Sequence, residues 1–570
     1  MYSYFKLYKQ KIISISLIIC FILFCYINAI LNINKTKIID NDIPLNSPNI
    51  EALFYVRSAS GSSELDTCTC IGDGLLSTNE SITSDEDAVK KYILTSPDYT
   101  NYLPEGSTIT WDTITANGST MAVLGSVTSK NKVVPTIREY HQNDNYAPYV
   151  KQVRALVNPK KVYYFSTTGR DKNNGLSPDS PKKDPTEYIK AGNCKCLLKS
   201  GDTFYSYYGY NPNSNLVIST YGGNERACLS LIRRNIGPIN NYDSSKNIYK
   251  VSLDKNSKDI GWLRINGTKT WKKVLSFNNL VNDKEYYVDR PNKCVYIKSM
   301  NNLEGQTVDY SCNWNGMNIN GKQNLIIENI ELSNAGSHGI HITSSSNVLI
   351  NNCFIHDIGG AIQEGNNVKF GNGIEVWANA CNNIIIYKNI INDCFDAGIT
   401  AQIDKSQNKN TNDIYIINNL IERTNYGFEC FHNSPQYTIK NLVVENNILL
   451  DSKDITGGYR LTFSSTDYTG FLCLWEYANA NCNINITNNF GFKTQNYVAS
   501  YTWKSAVKPP INYKDNLFIT FKDPAIKNIS NYTGDDTQYE IVEEGTELYN
   551  QYKELADSLK ANYLSNKISE

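Results

Sequence analysis

No charge of either sign prevails in this sequence: 55 Lys and Arg stand against 56 Asp and Glu, for a formal net charge of −1. A polyanionic partner such as nucleic acid is therefore not expected. The central part lacks apolar runs of about 10–12 residues with 3.6-residue periodicity, which excludes helical repeats. A phosphate-cradling nucleotide loop and a redox-cofactor signature are also missing. Long uncharged apolar sequence is confined to Ile12–Leu31, twenty residues preceded by Lys6, Lys9 and Lys11. That run is long enough to span a bilayer, and the leading lysines favour a cytoplasmic N-terminus. Lys35 and Lys37 follow it, and no A-x-A cleavage site is present. Residues 1–31 are thus expected to be an uncleaved signal-anchor, with a cleaved signal peptide as the alternative. The chain would be membrane-anchored through this segment with its bulk outside the cell, or secreted.

What is present is repetition. Five apolar runs open on Asn or Asp: NLIIENIEL at 324–332, NVLINNCFI at 347–355, NIIIYKNII at 383–391, DIYIINNLI at 413–421 and NLVVENNIL at 441–449. Their starts are 23, 36, 30 and 28 residues apart, and a weaker copy begins at Asn483. Between them lie glycine-led segments: GMNIN from Gly316, GIHIT from Gly339, GIEVW from Gly373, GITAQ from Gly398, GFECF from Gly427 and GYRLT from Gly458. Short period-two strands, polar turns and variable insertions describe stacked coils, each too small to bury a core alone. Paired Asn in the turns, Asn351–Asn352, Asn418–Asn419 and Asn446–Asn447, suit amides that hydrogen-bond from coil to coil.

This pattern resembles the right-handed parallel β-helix of the pectate-lyase-like superfamily. VYYFSTTGRDKNNGLSPDSPKKDP from Val162, with Gly201-Asp202-Thr203 after it, resembles the opening of many secreted β-helix enzymes. There a strand, a turn and a capping segment close the first coil. Residues 205–312 resemble an insertion seen in one branch, with IYKVSL at 248–253 and a hairpin around a D-x-P-N turn in EYYVDRPNKCVYIKS at 285–299. FGNGIEVW at 370–377 and DAGITAQ at 396–402 are similar to the Y-G-N-G-I-E-x-W and D-A-G-I-T-x-Q motifs of a carbohydrate-active branch, with Phe370 at the usual Tyr position. The likeness covers about Val162 to Tyr501.

The expected architecture is all-β, a right-handed parallel β-helix with an N-terminal transmembrane segment, N-terminal additions and a short C-terminal helix. The expected division is a signal-anchor or signal peptide at 1–31, a linker at 32–50, and an accessory or cap region at 51–160. The β-helix follows at 161–501, and 502–570 carries a helix within GTELYNQYKELADSLKANYL. DEDAVKKYIL at 85–94 is an amphipathic stretch in the accessory region. Of fifteen Cys, Cys68-x-Cys70 and Cys194-x-Cys196 are candidates for disulfides, with metal binding as a weaker rival; Cys353 and Cys430 fall at inward positions. Sequons at Asn79, Asn117, Asn266, Asn485 and Asn531 fit a glycoprotein if the source is eukaryotic.

Aligning the glycines gives one outward column of Asn318, His341, Glu375, Thr400, Glu429 and Arg460. A second reads Asn320, Thr343, Trp377, Gln402, Phe431 and Thr462, flanked by His338, Asp396 and His432. Glu375 and Glu429 are two coils, ~9.6 Å, apart along the backbone, within reach of the carboxylate spacing of inverting glycosidases. Glu375, Asp396 and Glu429 are the candidate catalytic groups of a glycoside hydrolase acting on a polysaccharide without a cofactor. His338, His341, Trp377, Gln402, Phe431, His432 and Arg460 are the candidate substrate-binding residues. A second reading of Glu375 is an ion-pair partner for His341 one coil away.

A lyase or epimerase would use the three carboxylates to hold Ca²⁺ and Arg460 as base. A membrane-anchored glycan-binding or adhesive β-helix would instead rely on aromatics such as Trp377, Phe431 and Tyr459. SHGIHI at 337–342 is similar to the G-H-G of polygalacturonases, but the paired Asp expected before it are absent and that assignment is rejected. His356-Asp357 and Asn392-Asp393 are read as turn hydrogen-bonding residues.

Overall fold

This computed structural model describes residues 147–269, 271–363, 368–377, 379–406, 408–452, 470–477, 482–494, 497–503, 511–521 and 538–565, with Tyr140 and short strands between 49 and 128. Two compact units divide at Ile137 and Arg138. Among described residues the first unit contains an antiparallel hairpin, Thr108–Ala116 with Ser119–Thr128, whose second strand also pairs with Asn49–Ile50. The apolar run at 12–31 and the stretch at 85–94 lie outside the described residues. No described helix is long and apolar enough to cross a membrane.

The second unit is a parallel solenoid. Among described residues ten strands, Lys161–Phe165 through Ile511–Lys514, form one parallel sheet, and fifteen form another that wraps the opposite side of the coil. The inward members of the alternating strands, among them Ile327, Ile350, Ile386, Ile416 and Val444, form one continuous core. The first strand of the ten-stranded sheet begins at Lys161, and a helix of the same compact unit precedes it. Helix α1 (Ala147–Leu156) brings Val150 and Val153 onto the outer face of the ten-stranded sheet, against Leu349, Ile385 and Val443. A short helix α2 (Thr186–Ala191) places Ile189 over the first coil as a cap, and Asp202 accepts hydrogen bonds from Ser166 and Thr167 at 2.8 and 2.7 Å. The C-terminal helix, α3 (Glu547–Ser565), lies on the flank, where Tyr563 donates to the Asn418 carbonyl at 2.5 Å.

The turn asparagines divide the work between two positions. The first of each pair takes a left-handed conformation that Asn tolerates better than most residues: Asn418 has φ 53°, Asn446 57° and Asn488 50°. The second is buried. Asn389, Asn419, Asn447 and Asn489 each pass a side-chain N–H to the amide oxygen of the next, the last to Asn516, at 3.0, 2.9, 3.0 and 2.9 Å. The other N–H of each returns to a strand carbonyl, as from Asn447 to Ile416 at 2.9 Å. The pair at 351–352 is offset by one residue: Asn352 is left-handed and Cys353 takes the buried slot, its N–H on Asn389 Oδ1 at 2.9 Å.

Two further expectations need correction. Cys194 and Cys196 are not exposed disulfide partners; both point into the core from one strand, as free thiols 3.6 Å apart. The eleven cysteines from Cys194 to Cys482 are buried thiols outside any disulfide, Cys353 and Cys430 at inward positions. The insertion begins at 232, not 205, because Leu216–Tyr221 and Ala227–Ser230 pair in parallel with solenoid strands on both sides. Residues 232–312 form two small sheets with a core around Leu263, Tyr286 and Val295. The expected hairpin is present, Glu285–Asp289 pairing with Cys294–Lys298 and Asp289 accepting from the Asn292 N–H at 3.1 Å.

The insertion docks on the solenoid through a bare backbone contact and an ionic ledge. A Cβ on Gly261 would lie 2.0 Å from the Gly359 carbonyl oxygen, so only glycine allows this approach. Beside it Arg264 and Lys269 reach Asp357 at 2.7 and 2.5 Å, and Lys269 reaches Asp393 at 3.2 Å. Arg423 joins Asp393 to Glu422, which meets Lys560 of α3. His356 bridges Asp357 and Glu331, both at 3.0 Å. The turn residues of the sequence reading therefore do more than close turns.

Burial alone would depress His356, but hydrogen bonds and charge from Asp357 and Glu331 outweigh it and raise its pKa from 6.5 to about 9. A raised folded-state value stabilises the protein fully below the unfolded pKa, and that contribution is lost as pH rises through the folded one. Stability is therefore expected to fall between pH 7 and about 9, and His356→Gln to flatten that fall, as chemical denaturation across the range would show.

Candidate active site

Five glycines of the second recurring segment, Gly316, Gly339, Gly373, Gly398 and Gly427, sit where the next coil leaves little room. A Cβ on Gly316 would lie 2.6 Å from the Gly339 carbonyl oxygen, one on Gly339 2.3 Å from that of Gly373, and one on Gly373 2.5 Å from that of Gly398. The glycines therefore fix the register of six strands: β1 (Met317–Asn320), β2 (Ile340–Thr343), β3 (Ile374–Trp377), β4 (Ile390–Ile403), β5 (Leu420–His432) and β6 (Gly470–Tyr477).

The first outward column follows as expected for five members: Asn318, His341, Glu375, Thr400 and Glu429 are paired in sequence. The second runs Asn320, Thr343, Trp377, Gln402 and Phe431. The last step differs. Glu429 is paired with Cys473 of β6 and Phe431 with Trp475, so the next strand is GFLCLW rather than GYRLT. Arg460 and Thr462 lie outside the described residues.

Glu375 is the most elaborated of the acidic groups. It is 5% exposed, and its Oε2 lies 2.5 Å from His341 Nδ1 and 3.5 Å from His338 Nε2. Its Oε1 accepts from Asn372 Nδ2 at 3.2 Å. The backbone N–H of Asn372 faces His338 Nδ1 at 3.3 Å, which leaves Nε2 of that ring as the one carrying hydrogen toward Glu375. Phe370 packs edge-on against His338, with ring centroids 5.1 Å apart. Burial by itself would raise the Glu375 carboxyl, but the imidazoles of His338 and His341 and the Asn372 amide outweigh it and hold the group below the usual carboxylate range. Glu375 is thus kept ionised. His341 is both its hydrogen-bond partner and its neighbour in the column.

Glu429 stands two coils on, across Thr400, and is 1% exposed. Gln402 Nε2 holds its Oε2 at 3.1 Å and Thr400 Oγ1 at 3.1 Å. Asp396 is placed by a bulge: between the pairs Cys394–Thr424 and Ala397–Tyr426, Phe395 and Asp396 oppose the single residue Asn425. Asp396 is 1% exposed, beside a Phe395 ring that meets Trp262 of the insertion at 4.7 Å. The next backbone N–H, of Ala397, donates to Asn372 Oδ1 at 3.1 Å, which couples the bulge to the Glu375 cluster. Trp377 and Phe431, both half-buried, flank Gln402 in the second column.

His432 does not belong to this face. Alternation along β5 turns it inward, in register with the core residue Ile403, and burial lowers its pKa to about 4. Asn372 was not singled out from the sequence, although it is the central residue of the quoted F-G-N-G; it lies in the turn before β3, outside the strand alternation that picked out the others.

Residues 294–490 match the family model described as a right handed beta helix region. Among solved structures, the chain is similar to one described as a glycoside hydrolase, at 12% identity and TM-score 0.34, covering 62% of this chain and 96% of that one. It is similar to an alginate lyase from Paenibacillus sp. str. FPU-7, at 14% identity and TM-score 0.32, covering 62% and 91%. It is also similar to a polygalacturonase from Erwinia carotovora ssp. carotovora, at 12% identity and TM-score 0.32, covering 72% and 99%. No curated protein sequence matches this one.

Proposed function

We propose that this right-handed β-helix protein is an enzyme that acts on a polysaccharide outside the cytoplasm, and that it hydrolyses glycosidic bonds. The observation that carries this reading is a carboxylate, Glu375, held ionised by His338, His341 and Asn372, in register with a second carboxylate two coils away. An ionised Glu375 suits the base: it takes a proton from water as the oxygen attacks the anomeric carbon. Glu429, oriented by Gln402, gives its proton to the departing glycosidic oxygen. A backbone separation of ~9.6 Å leaves room for that water, so the product anomer is inverted. Asp396 supplies negative charge toward the positive charge that develops on the sugar ring. Trp377 and Phe431 offer aromatic faces to neighbouring sugars.

The carboxylates do not fit a calcium site. Glu375 is turned to two imidazoles and an amide, and among the described residues no three acidic, His or Cys side chains are arranged to hold a metal. One observation favours a lyase or epimerase as second reading: His341, 23% exposed in its side chain, is oriented by Glu375 as a base would be for proton abstraction beside a uronate carboxyl.

The test is to incubate the full chain with neutral and acidic polysaccharides, following reducing ends together with the ultraviolet absorbance of unsaturated uronates, with and without chelator. Reducing ends without that absorbance are expected. Both signals together would establish a lyase, and retention on a polysaccharide with neither signal a binding protein.

The pH profile gives a further expectation. Because Glu375 lies below its ordinary 4.5, the acid limb of kcat/KM should fall below that pH. His341→Gln removes one of the groups that offset burial, so the limb should move to higher pH. An unmoved limb would take Glu375 out of the base role.

A further inference from the structure

The insertion holds an ion pair that solvent hardly reaches. Lys273 Nζ lies 2.7 Å from Asp259 Oδ2, and each side chain is 2% exposed. The same Nζ donates to the carbonyl oxygens of Ile260 at 2.6 Å and Gly360 at 3.1 Å. Asp259 Oδ2 also accepts from the backbone N–H of Ile362 at 2.6 Å, while Oδ1 has no hydrogen-bond partner among the described residues. The Asp259 carbonyl takes the N–H of Asn313 at 3.1 Å, and the Asn313 side chain takes the hydroxyl of Ser337. The pair thus ties the insertion to the corner before β2, which carries His338, and to the loop that leads into β3.

That loop passes the constraint on. Gly360 N–H donates to the Phe370 carbonyl at 2.9 Å, Phe370 N–H to the Ala361 carbonyl at 2.8 Å, and Ile362 pairs antiparallel with Lys369. Holding 360–362 therefore holds Phe370, whose ring meets His338, and Asn372 two residues on. Asn315, His338 and Asn372 each stand immediately before a glycine of the repeat. Each side chain there accepts the backbone N–H one coil on: Asn315 Oδ1 from His338 at 3.1 Å, His338 Nδ1 from Asn372 at 3.3 Å, Asn372 Oδ1 from Ala397 at 3.1 Å. A displaced Asn372 would disturb at once the N–H that fixes the His338 tautomer and the amide on Glu375.

Taking two charges out of water costs about what their attraction returns, so an apolar pair of similar size would fill this space as stably. It could not hold the Gly360 carbonyl and the Ile362 N–H in fixed directions. What the charges contribute is geometry.

We propose that Asp259 and Lys273 are positioning residues of the active site: by fixing the loop that enters β3 they set Phe370 and Asn372, and through these the imidazole of His338 against Glu375. The effect on turnover rests on Glu375 being the reactive carboxylate; the effect on His338 does not.

The test uses the full chain with Asp259→Asn and Lys273→Met together, which leaves no charge buried alone and keeps an oxygen for Ile362. With the polysaccharide that the parent cleaves, kcat should fall by about 10–100-fold while KM changes little. The chain has five histidines, which suits ring ¹⁵N NMR. The His338 signals should leave the Nε2–H form for a mixture of tautomers, with those of His432, inward on β5, unchanged. A lowered melting temperature with unaltered kcat and unaltered His338 signals would show a merely structural pair and overturn the proposal. If the parent turns over no polysaccharide, the hydrolase reading fails and the His338 signals alone decide the positioning role. Should the double variant not fold, amide hydrogen exchange in the parent decides it. Gly360, Ile362, Phe370 and Asn372 are expected to exchange as slowly as the paired residues of β3; fast exchange at these four beside a protected β3 would overturn the proposal.

Discussion

Glu375→Gln is expected to lower kcat on the order of 10²–10⁴-fold, the range a positioned general base supplies, with little change in KM. The amide keeps the size of the side chain and can still meet His341 and Asn372, so the fold should survive. It cannot accept a proton from water. A substrate whose leaving group needs no protonation should not rescue this variant, because the defect lies in the attack. Glu429→Gln should behave oppositely, with most of its loss recovered on such a substrate. If Glu375 serves only as the ion-pair partner of His341, the change would lower stability and leave turnover in place. The comparison of activity with melting temperature therefore separates the two roles.

The second large effect lies in the amide ladder. Asn447, fully buried, accepts from the backbone and side chain of Asn419 at 3.0 and 2.9 Å and donates to Ile416 and Asn489 at 2.9 and 3.0 Å. Asn447→Leu removes all four bonds at similar volume and leaves a backbone N–H and a carbonyl without partners in the interior. A loss of about 3–5 kcal/mol is expected, since each buried group left unsatisfied costs its desolvation. Asn512 makes a comparable amide contact to Asn485 at 3.1 Å on the exposed side, and Asn512→Ala should cost less than about 1 kcal/mol. Denaturant unfolding of the two variants against the parent checks the contrast.

What the sequence made legible was periodic. Alternation with glycine at each strand start located five of the six members of each column, because glycine there answers a backbone clash that no other residue relieves. The asparagine pairs were legible for the same reason: two adjacent positions with different demands recur in every coil. What failed was aperiodic or degenerate. GYRLT and GFLCLW both open on glycine before a strand-like run, and the first lies at a spacing closer to that of the other repeats; the pairing with β5 selects the second. The residue that pairs with Glu429 on that side is Cys473, where the glycine alignment had put Arg460. His432 was counted one residue too far along an outward run. The CxC at 194–196 was a disulfide candidate by its spacing, yet alternation sends both thiols inward. Asp396 owes its position to a bulge, and Asn372 to a turn, neither of which has a period to read. The ledge of Asp357 and Asp393 joins residues about ninety to a hundred and twenty-four apart in the chain, a relation that local pattern does not express.

The measurement that bears most directly on the carboxylate pair is the anomeric configuration of the first product, followed by NMR during early turnover of a cleaved polysaccharide. A Glu375–Glu429 pair separated by two coils predicts an inverted anomer at the new reducing end. A retained anomer would contradict it, because retention needs a nucleophile closer to the acid than alternate coils bring these two side chains.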